Sequence, residues 1–286
     1  MMFTNKINRL KTSRYLVLIL MVISTSIVLN AQKKLVIIGT NDTHSRIEPL
    51  PASDKSYAGM GGVVARATFI DQVRAQNQNV LLFDAGDFVQ GTPYFNLFHG
   101  RTESDAMNLI KYDAGTLGNH EFDYGLDTLK MIIKRLDYPV VNCNYDFSNT
   151  ALKGMIKPYI VLKKFGLKIG VVGVGVDPEG LIQKNRYEGM IFKPAVSTTN
   201  FYAKILKEKE KCDIIICLSH IGYSDDIILA EQSKNIDVII GGHSHTYMEQ
   251  PDVRKNLDGK EVVIFQTGKN GSYINKFEVE LDKVRK

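Results

Sequence analysis

The chain reads as an α/β fold of two mixed sheets packed face to face, with helices on both outer sides. Three observations carry this reading. Short apolar runs that end in polar loops alternate with helical patterns along most of the 286 residues, the signature of layered α/β architecture. Tyr159 to Leu162 and Leu167 to Val174 flank the turn Lys163-Lys164-Phe165-Gly166 as a hairpin, so the sheets are not purely parallel. No repeat, low-complexity tract or linker follows residue 32, so residues 32–286 are read as one domain.

The first 31 residues stand apart from that pattern. Lys6, Arg9, Lys11 and Arg14 form a basic start without an acid, followed by a 15-residue apolar run, Tyr15 to Leu29. A spanning helix needs about 20 residues, so the segment reads as a secretory signal peptide with cleavage after Ala31. Leu35 to Ile38 is then a buried strand running into Gly39-Thr40-Asn41-Asp42-Thr43-His44, and a Pro- and Gly-rich loop leads to a helix over Val63 to Val73. Val80 to Phe83 is a second strand, ending at Asp84-Ala85-Gly86-Asp87, and a helix covers Glu103 to Ile110. Ala114 to Leu117 is a third, opening into Gly118-Asn119-His120-Glu121-Phe122-Asp123; a helix over Leu126 to Leu136 and a strand over Tyr138 to Asn142 follow. After the hairpin come a weakly periodic stretch from Asp177 to Pro194 and a helix over Val196 to Glu210. Ile214 to Leu218 is a strand ending at Ser219-His220, and Asp225 to Ser233 a helix. Val238 to Ile240 runs into Gly241-Gly242-His243-Ser244-His245, and Val262 to Gln266 and Ile274 to Leu281 close the chain. Gly170 to Gly175 imitates a dinucleotide loop, but no helix follows and Pro178 interrupts, so it reads as a strand and tight turn.

Composition narrows the function. With 44% hydrophobic and 23% charged residues the chain is ordinary globular material. Of 36 basic residues, four lie in the leader, which holds none of the 31 acids, so the remainder is nearly neutral. Net charge therefore gives no support to a nucleic-acid-binding face. Cys143, Cys212 and Cys217 are an odd set; Cys212 and Cys217 bracket an apolar run, and an odd separation assigns them to opposite faces of a strand as core residues.

The chemistry gathers at strand ends. Five of the six histidines, all but His99, lie where an apolar strand gives way to a loop, beside Asp42, Asp87 and Asn119. Loops at one edge of a sheet converge, so these groups can meet in space. Mixed Asp, His and Asn donors suit zinc or manganese. Seven ligands are too many for one tetrahedral ion and right for two ions sharing a carboxylate, for which Asp87 is the candidate. Two such ions suit hydrolysis of a phosphate ester. Arg46 and Gln90 lie near these loops, and Tyr94, Phe95 and Phe98 read as packing residues.

The motifs Asn41-Asp42-Thr43-His44, Gly61 to Arg66, Asp84 to Asp87, Gly118 to Asp123, Ser219-His220 and Gly241 to His245 resemble the 5′-nucleotidase and UDP-sugar hydrolase branch of the calcineurin-like metallophosphatases. The resemblance implies a four-layer α/β/β/α metallophosphatase sandwich. It implies that Asp42, His44 and His245 hold one metal, that Asn119, His220 and His243 hold the other, and that Asp87 bridges them. It implies that His120 is not a ligand but steadies the phosphoryl oxygens, oriented by Asp123. It further implies an exported, periplasmic or extracellular enzyme, with nucleoside monophosphates the leading substrates. Cyclic nucleotide diesters and nucleotide sugars are the enzymatic alternatives. Members of this branch carry a second domain that grips the nucleotide, so a separately encoded nucleotide-binding partner is also expected, as is the reading of a subunit idle until that partner joins.

Overall fold

The computed structural model describes residues 34–280; the leader lies outside them. Strand β1 (Lys34–Thr40) shows how the layers arise. It is buried along almost its whole length, and successive side chains alternate between faces. Leu35 and Ile37 enter one apolar cluster, Val36 and Ile38 another. β1 pairs in parallel with β2 (Val80–Asp84), which pairs in parallel with the two-residue β3 (Ala114–Gly115). β12 (Asn275–Glu280) joins the other edge of β1 antiparallel, completing a four-stranded mixed sheet.

The second sheet has the order β10-β11-β9-β8-β6-β5. Its interior strands β6 (Leu167–Gly175), β8 (Ile214–His220), β9 (Val238–Ile240) and β11 (Glu261–Phe265) are parallel. Its edges, β5 (Tyr159–Lys164) and β10 (Asp252–Lys255), are antiparallel. The expected hairpin is present: Lys164 pairs with Leu167 around Phe165 and Gly166, both with positive φ, the backbone that matches strand twist in a two-residue turn.

Three apolar clusters separate four layers. Leu35, Ile37, Leu81 and Phe83 meet Ile169, Val171, Ile214, Ile216, Val238 and Ile240 between the sheets. Val36, Ile38, Val80 and Leu82 meet α1 (Val63–Gln76), α2 (Pro93–Phe98), α3 (Arg101–Ile110) and α4 (Gly125–Arg135) on one outer side. Val172, Ile215, Cys217, Ile239 and Ile264 meet α5 (Ala195–Glu208) and α6 (Tyr223–Glu231) on the other. This is the expected α/β/β/α sandwich.

Several local expectations change. The strand expected over Tyr138 to Asn142 is reduced to isolated bridges at Val140 and Val141; Pro139 within it has no N–H to give a ladder. The weakly periodic stretch holds β7 (Ile191–Phe192), paired with β4 (Tyr145–Asp146). Cys212 precedes β8, so strand parity does not reach it; it packs in the same outer cluster as Cys217 and Cys143, and all three thiols are free. Within the glycine run, a Cβ at Gly173 would lie 2.0 Å from the Val141 carbonyl oxygen. That glycine permits close packing of two chain segments and cradles no phosphate.

Candidate metal centre

β1, β2, β3, β8 and β9 end at one edge of the sandwich, and their loops carry every predicted site residue. The loops are knitted by backbone bonds: Asp42 N–H donates to Gly86 O, His44 N–H to Asp87 O, and Ser45 N–H to Phe88 O. Asp42, His44, Asp87, His243 and His245 all adopt positive φ, between 47° and 74°. That region is sparsely populated by residues other than glycine and costs on the order of 1 kcal/mol or more for each. Five of the seven predicted donors thus hold sparsely populated backbone conformations.

The side chains converge. Asp42 Oδ2 accepts from Asn41 Nδ2 at 2.6 Å and from the His243 N–H at 3.0 Å, which turns Oδ1 inward. Asp42 Oδ1 lies 3.3 Å from His245 Nε2, 3.7 Å from His44 Nε2 and 3.9 Å from His220 Nε2. Asp87 Oδ1 accepts the His120 N–H at 2.8 Å. Its Oδ2 faces His220 Nε2 at 3.1 Å and His44 Nε2 at 3.7 Å. His220 Nδ1–H donates to the Ala85 carbonyl at 2.7 Å, which directs Nε2 inward, the orientation of a metal-bound imidazole. His243 Nδ1 lies 2.9 Å from Asn119 Oδ1, and its ring centroid is 5.4 Å from that of His220.

Asp42 Oδ1, His44 Nε2 and His220 Nε2 are buried without a hydrogen-bond partner. Buried polar atoms left in this way are costly unless something meets them. The ligand atoms of Asp42, His44 and His245 lie within 4.8 Å of one another, as do those of Asp42, Asp87 and His220, and those of His44, Asp87 and His120. A cluster of orphaned acceptors and imidazoles at that spacing fits divalent cations. Asp42 and Asp87 both face histidines of the two expected sets, so both carboxylates are central. His243 stands outside these groupings, against Asn119. His120 stands inside one, although the resemblance gives it no metal; its Nδ1 lies 3.0 Å from Asp123 Oδ2 and its Nε2 2.9 Å from Gln90 Nε2.

Electrostatics follow from this crowding. Burial pushes the Asp87 carboxyl up, but the His220 charge and the His44 and His220 contacts outweigh it and hold it well below the usual carboxylate range. Burial opposes charge on His220, and the Asp87 and Asp42 carboxylates overcome it, raising His220 to about 10. His120 is raised: burial works against it, and the Asp123 hydrogen bond and Asp87 prevail. His243 is lowered, by burial and then by the His220 charge.

Three supporting residues are given no role by the sequence, although Glu121 and Asn41 lie inside the quoted motifs. Glu121 Oε2 accepts N–H groups from Gly118 and Asp87, and Oε1 accepts that of Phe88, tying the loop after β2 to the loop after β3. Gln266 Oε1 accepts from Ser244 Oγ and the Thr246 N–H, and its Nε2 donates to Gly242 O, fixing the two-histidine loop. Asn41 joins Asp42 to Thr267. Gly118 is needed where it stands: a Cβ there would lie 2.1 Å from Asp87 Oδ1.

A four-layer sandwich with Asp, Asn and His donors gathered at one edge defines the metallophosphatase class. The chain belongs to the calcineurin-like phosphoesterase family, which residues 35–247 match. It is similar to the snake venom 5′-nucleotidase of Naja atra, with 33% identity over 269 residues, covering 87% of this chain and 50% of that protein. Human 5′-nucleotidase is 30% identical over 271 residues, covering 87% and 47%. Among solved structures, the 5′-nucleotidase precursor from Thermus thermophilus superposes with a TM-score of 0.82 at 33% identity, covering 88% of this chain and 52% of that one. The chain spans about half the length of these relatives. Among the described residues no helix is long and apolar enough to cross a membrane.

Proposed function

We propose that residues 32–286 are the catalytic domain of an exported two-metal phosphoesterase that hydrolyses phosphate monoesters, nucleoside monophosphates first among them. The observation that carries this is that buried, unpartnered His44 Nε2 and His220 Nε2 both face the Asp42 and Asp87 carboxylates, with Asp42 Oδ1 itself unpartnered. Asp42, His44 and His245 would hold one ion, Asn119, His220 and His243 the other, with Asp87 between them. Zinc or manganese suits this donor set. When bound, such ions supply Lewis-acid charge and lower the pKa of a water. The leader supports export to the periplasm or medium.

The chain's own groups do the rest. Asp123 accepts a hydrogen bond from His120 Nδ1–H, fixing the ring and favouring its charged form; Nε2 faces the Gln90 amide, which must turn its oxygen toward that nitrogen when the ring is charged. A proton donor held there stabilises negative charge as it gathers on phosphoryl oxygens, and costs no reorganisation during reaction. Backbone bonds to Asp87 and Asp42 keep both carboxylates aimed inward and hold the donors in register.

The test is metal analysis of the purified chain, with phosphate release from nucleoside monophosphates, 2′,3′-cyclic nucleotides, nucleotide sugars and sugar phosphates. Zinc or manganese bound near two equivalents, with fastest release from monophosphates, is expected. Bound metal with no turnover, alone or with a nucleotide-binding partner chain added, would overturn the reading.

A further inference from the structure

Against the loop that carries Asp42 and His44 lies a cluster of buried charges that neither the apolar core nor the donor set uses. Glu103, in the first turn of α3, is 3% exposed, and both its carboxylate oxygens are buried without a hydrogen-bond partner. Arg66, on α1, is 5% exposed, and its Nε has no partner either. The same holds for Nε of half-buried Arg46, in the loop after β1. All three line one small cavity, of about 10 Å³, together with Thr43, Ser45 and Phe88. Among the described residues, no nitrogen of either arginine comes within 4.0 Å of a Glu103 oxygen.

Opposite charges buried this deeply are costly unless something joins them. Polar groups that share a cavity beyond direct reach are joined through water, and this cavity has room for about one. The chemistry matches. Guanidinium groups only donate and a carboxylate only accepts, whereas water does both. One water has lone pairs for the two Nε–H groups and protons for the carboxylate.

The cluster sits where the backbone needs holding. Asp42, His44 and Ser45 have φ of 49°, 47° and 52°, and such residues persist only where their surroundings over-determine them. Arg46 is the next residue of that loop. The Val63 N–H that opens α1 donates to Ile47 O, and Ser45 N–H donates to Phe88 O. On the other side of Arg66, a Cβ at Gly271 would lie 3.5 Å from its Nη1, and the neighbouring Asn270 donates its N–H to Asp42 O at 2.7 Å. We propose that Glu103, through a bridging water, pairs with Arg66 and Arg46, and that this buried triad positions the loop of Asp42 and His44 for metal. The proposal rests on the metal-centre reading above. Glu103 is a positioning residue in it, acting on the donors through the two arginines.

Two measurements test the triad. Metal-free Glu103→Gln, Arg66→Met and the double variant are unfolded calorimetrically. Each single change leaves a buried charge unmatched. The double variant should therefore fall short of the summed losses in melting temperature by roughly 3–12 °C. If Arg66→Met does not fold, Arg46→Met takes its place in the cycle. Zinc affinity of the purified chain, read by chelator competition, should drop about tenfold in Glu103→Gln. Leu129→Ala opens a cavity in the apolar cluster beneath α4; it should lower the melting temperature yet bind zinc within about twofold of the wild type. Single losses that simply add would overturn the triad. So would zinc affinity unchanged in Glu103→Gln, or lowered equally in Leu129→Ala. A wild-type chain that takes up no zinc would sink the metal-centre reading instead, and the cycle in the metal-free chain would still decide the pairing.

Discussion

Glu121→Gln tests what holds the centre together. Glu121 is buried and receives three backbone N–H donors, from Gly118, Asp87 and Phe88. An amide has one acceptor oxygen. Seated where Oε2 was, it keeps the first two bonds and turns its NH2 on the Phe88 N–H, so donor meets donor. Burial, and then the Asp87 charge, push Glu121 up to about 8, so at neutral pH the amide replaces a largely protonated acid. Leaving the buried Phe88 N–H without its acceptor costs about 1–3 kcal/mol. For a domain of this size each kcal/mol moves the melting temperature by about 2–4 °C, so a fall of roughly 2–12 °C follows. The second consequence is local: the lost bond holds Phe88, the residue next to Asp87, so zinc affinity should drop by about 10- to 100-fold, as when an outer partner of a ligand is removed. Calorimetric unfolding of the metal-free chain reads the first effect and chelator competition the second. A variant that melts with the wild type and binds zinc as tightly would refute the clamp.

Two further outcomes are expected. His120→Ala should lower turnover by about 10²–10³ while metal content stays unchanged, measured by phosphate release and metal analysis; full activity would remove His120 from the chemistry. Asp226 is buried at the start of α6, where Oδ1 receives the Ser219 hydroxyl and Oδ2 has no partner, and burial raises it to about 7 against a weaker lowering by that bond. The unfolded chain ionises near pH 4 and the folded one near 7, so this group's stabilisation is full below about pH 4 and is lost, by up to about 4 kcal/mol, as pH rises to 7. Asp226→Asn should therefore gain stability relative to the wild type between pH 5 and pH 8 in denaturant titrations; a difference constant with pH would refute the assignment.

The layers were legible because the strands are apolar throughout and end abruptly. Leu35 to Ile38, Val80 to Phe83 and Ile214 to Leu218 are buried on both faces, and such runs can only be inner strands with cover on each side. What escaped was short or polar. β10 alternates half-buried and exposed positions over Asp252–Lys255, and is an edge that looks like loop. β4 and β7 are two residues each, too short for any period to show. Thr92 caps α2, with Pro93 in its first turn, a start signal that the neighbouring motif masked.

The donors were legible for a different reason: their residue types are scarce and all sit at strand ends, so position alone gathers them. The geometry that makes them a site was not. Nothing in Asp42, His44 or Asp87 as letters says that the backbone is left-handed there, because Asp and His tolerate that region better than most residues. Nor does spacing show that Glu121 reaches residues 87 and 88 or that Asn41 reaches Thr267, since those contacts exist only once the sheets have stacked. The two kinds of residue divide the work. The donors place like charges close together on strained backbone, which alone is unfavourable. Glu121, Asn41 and Gln266 over-determine the loops so that the strained arrangement persists. A fold that keeps buried carboxylates, unpartnered imidazoles and left-handed donors at one point, and commits three buried polar side chains to keeping them there, is organised around positive charge arriving from outside.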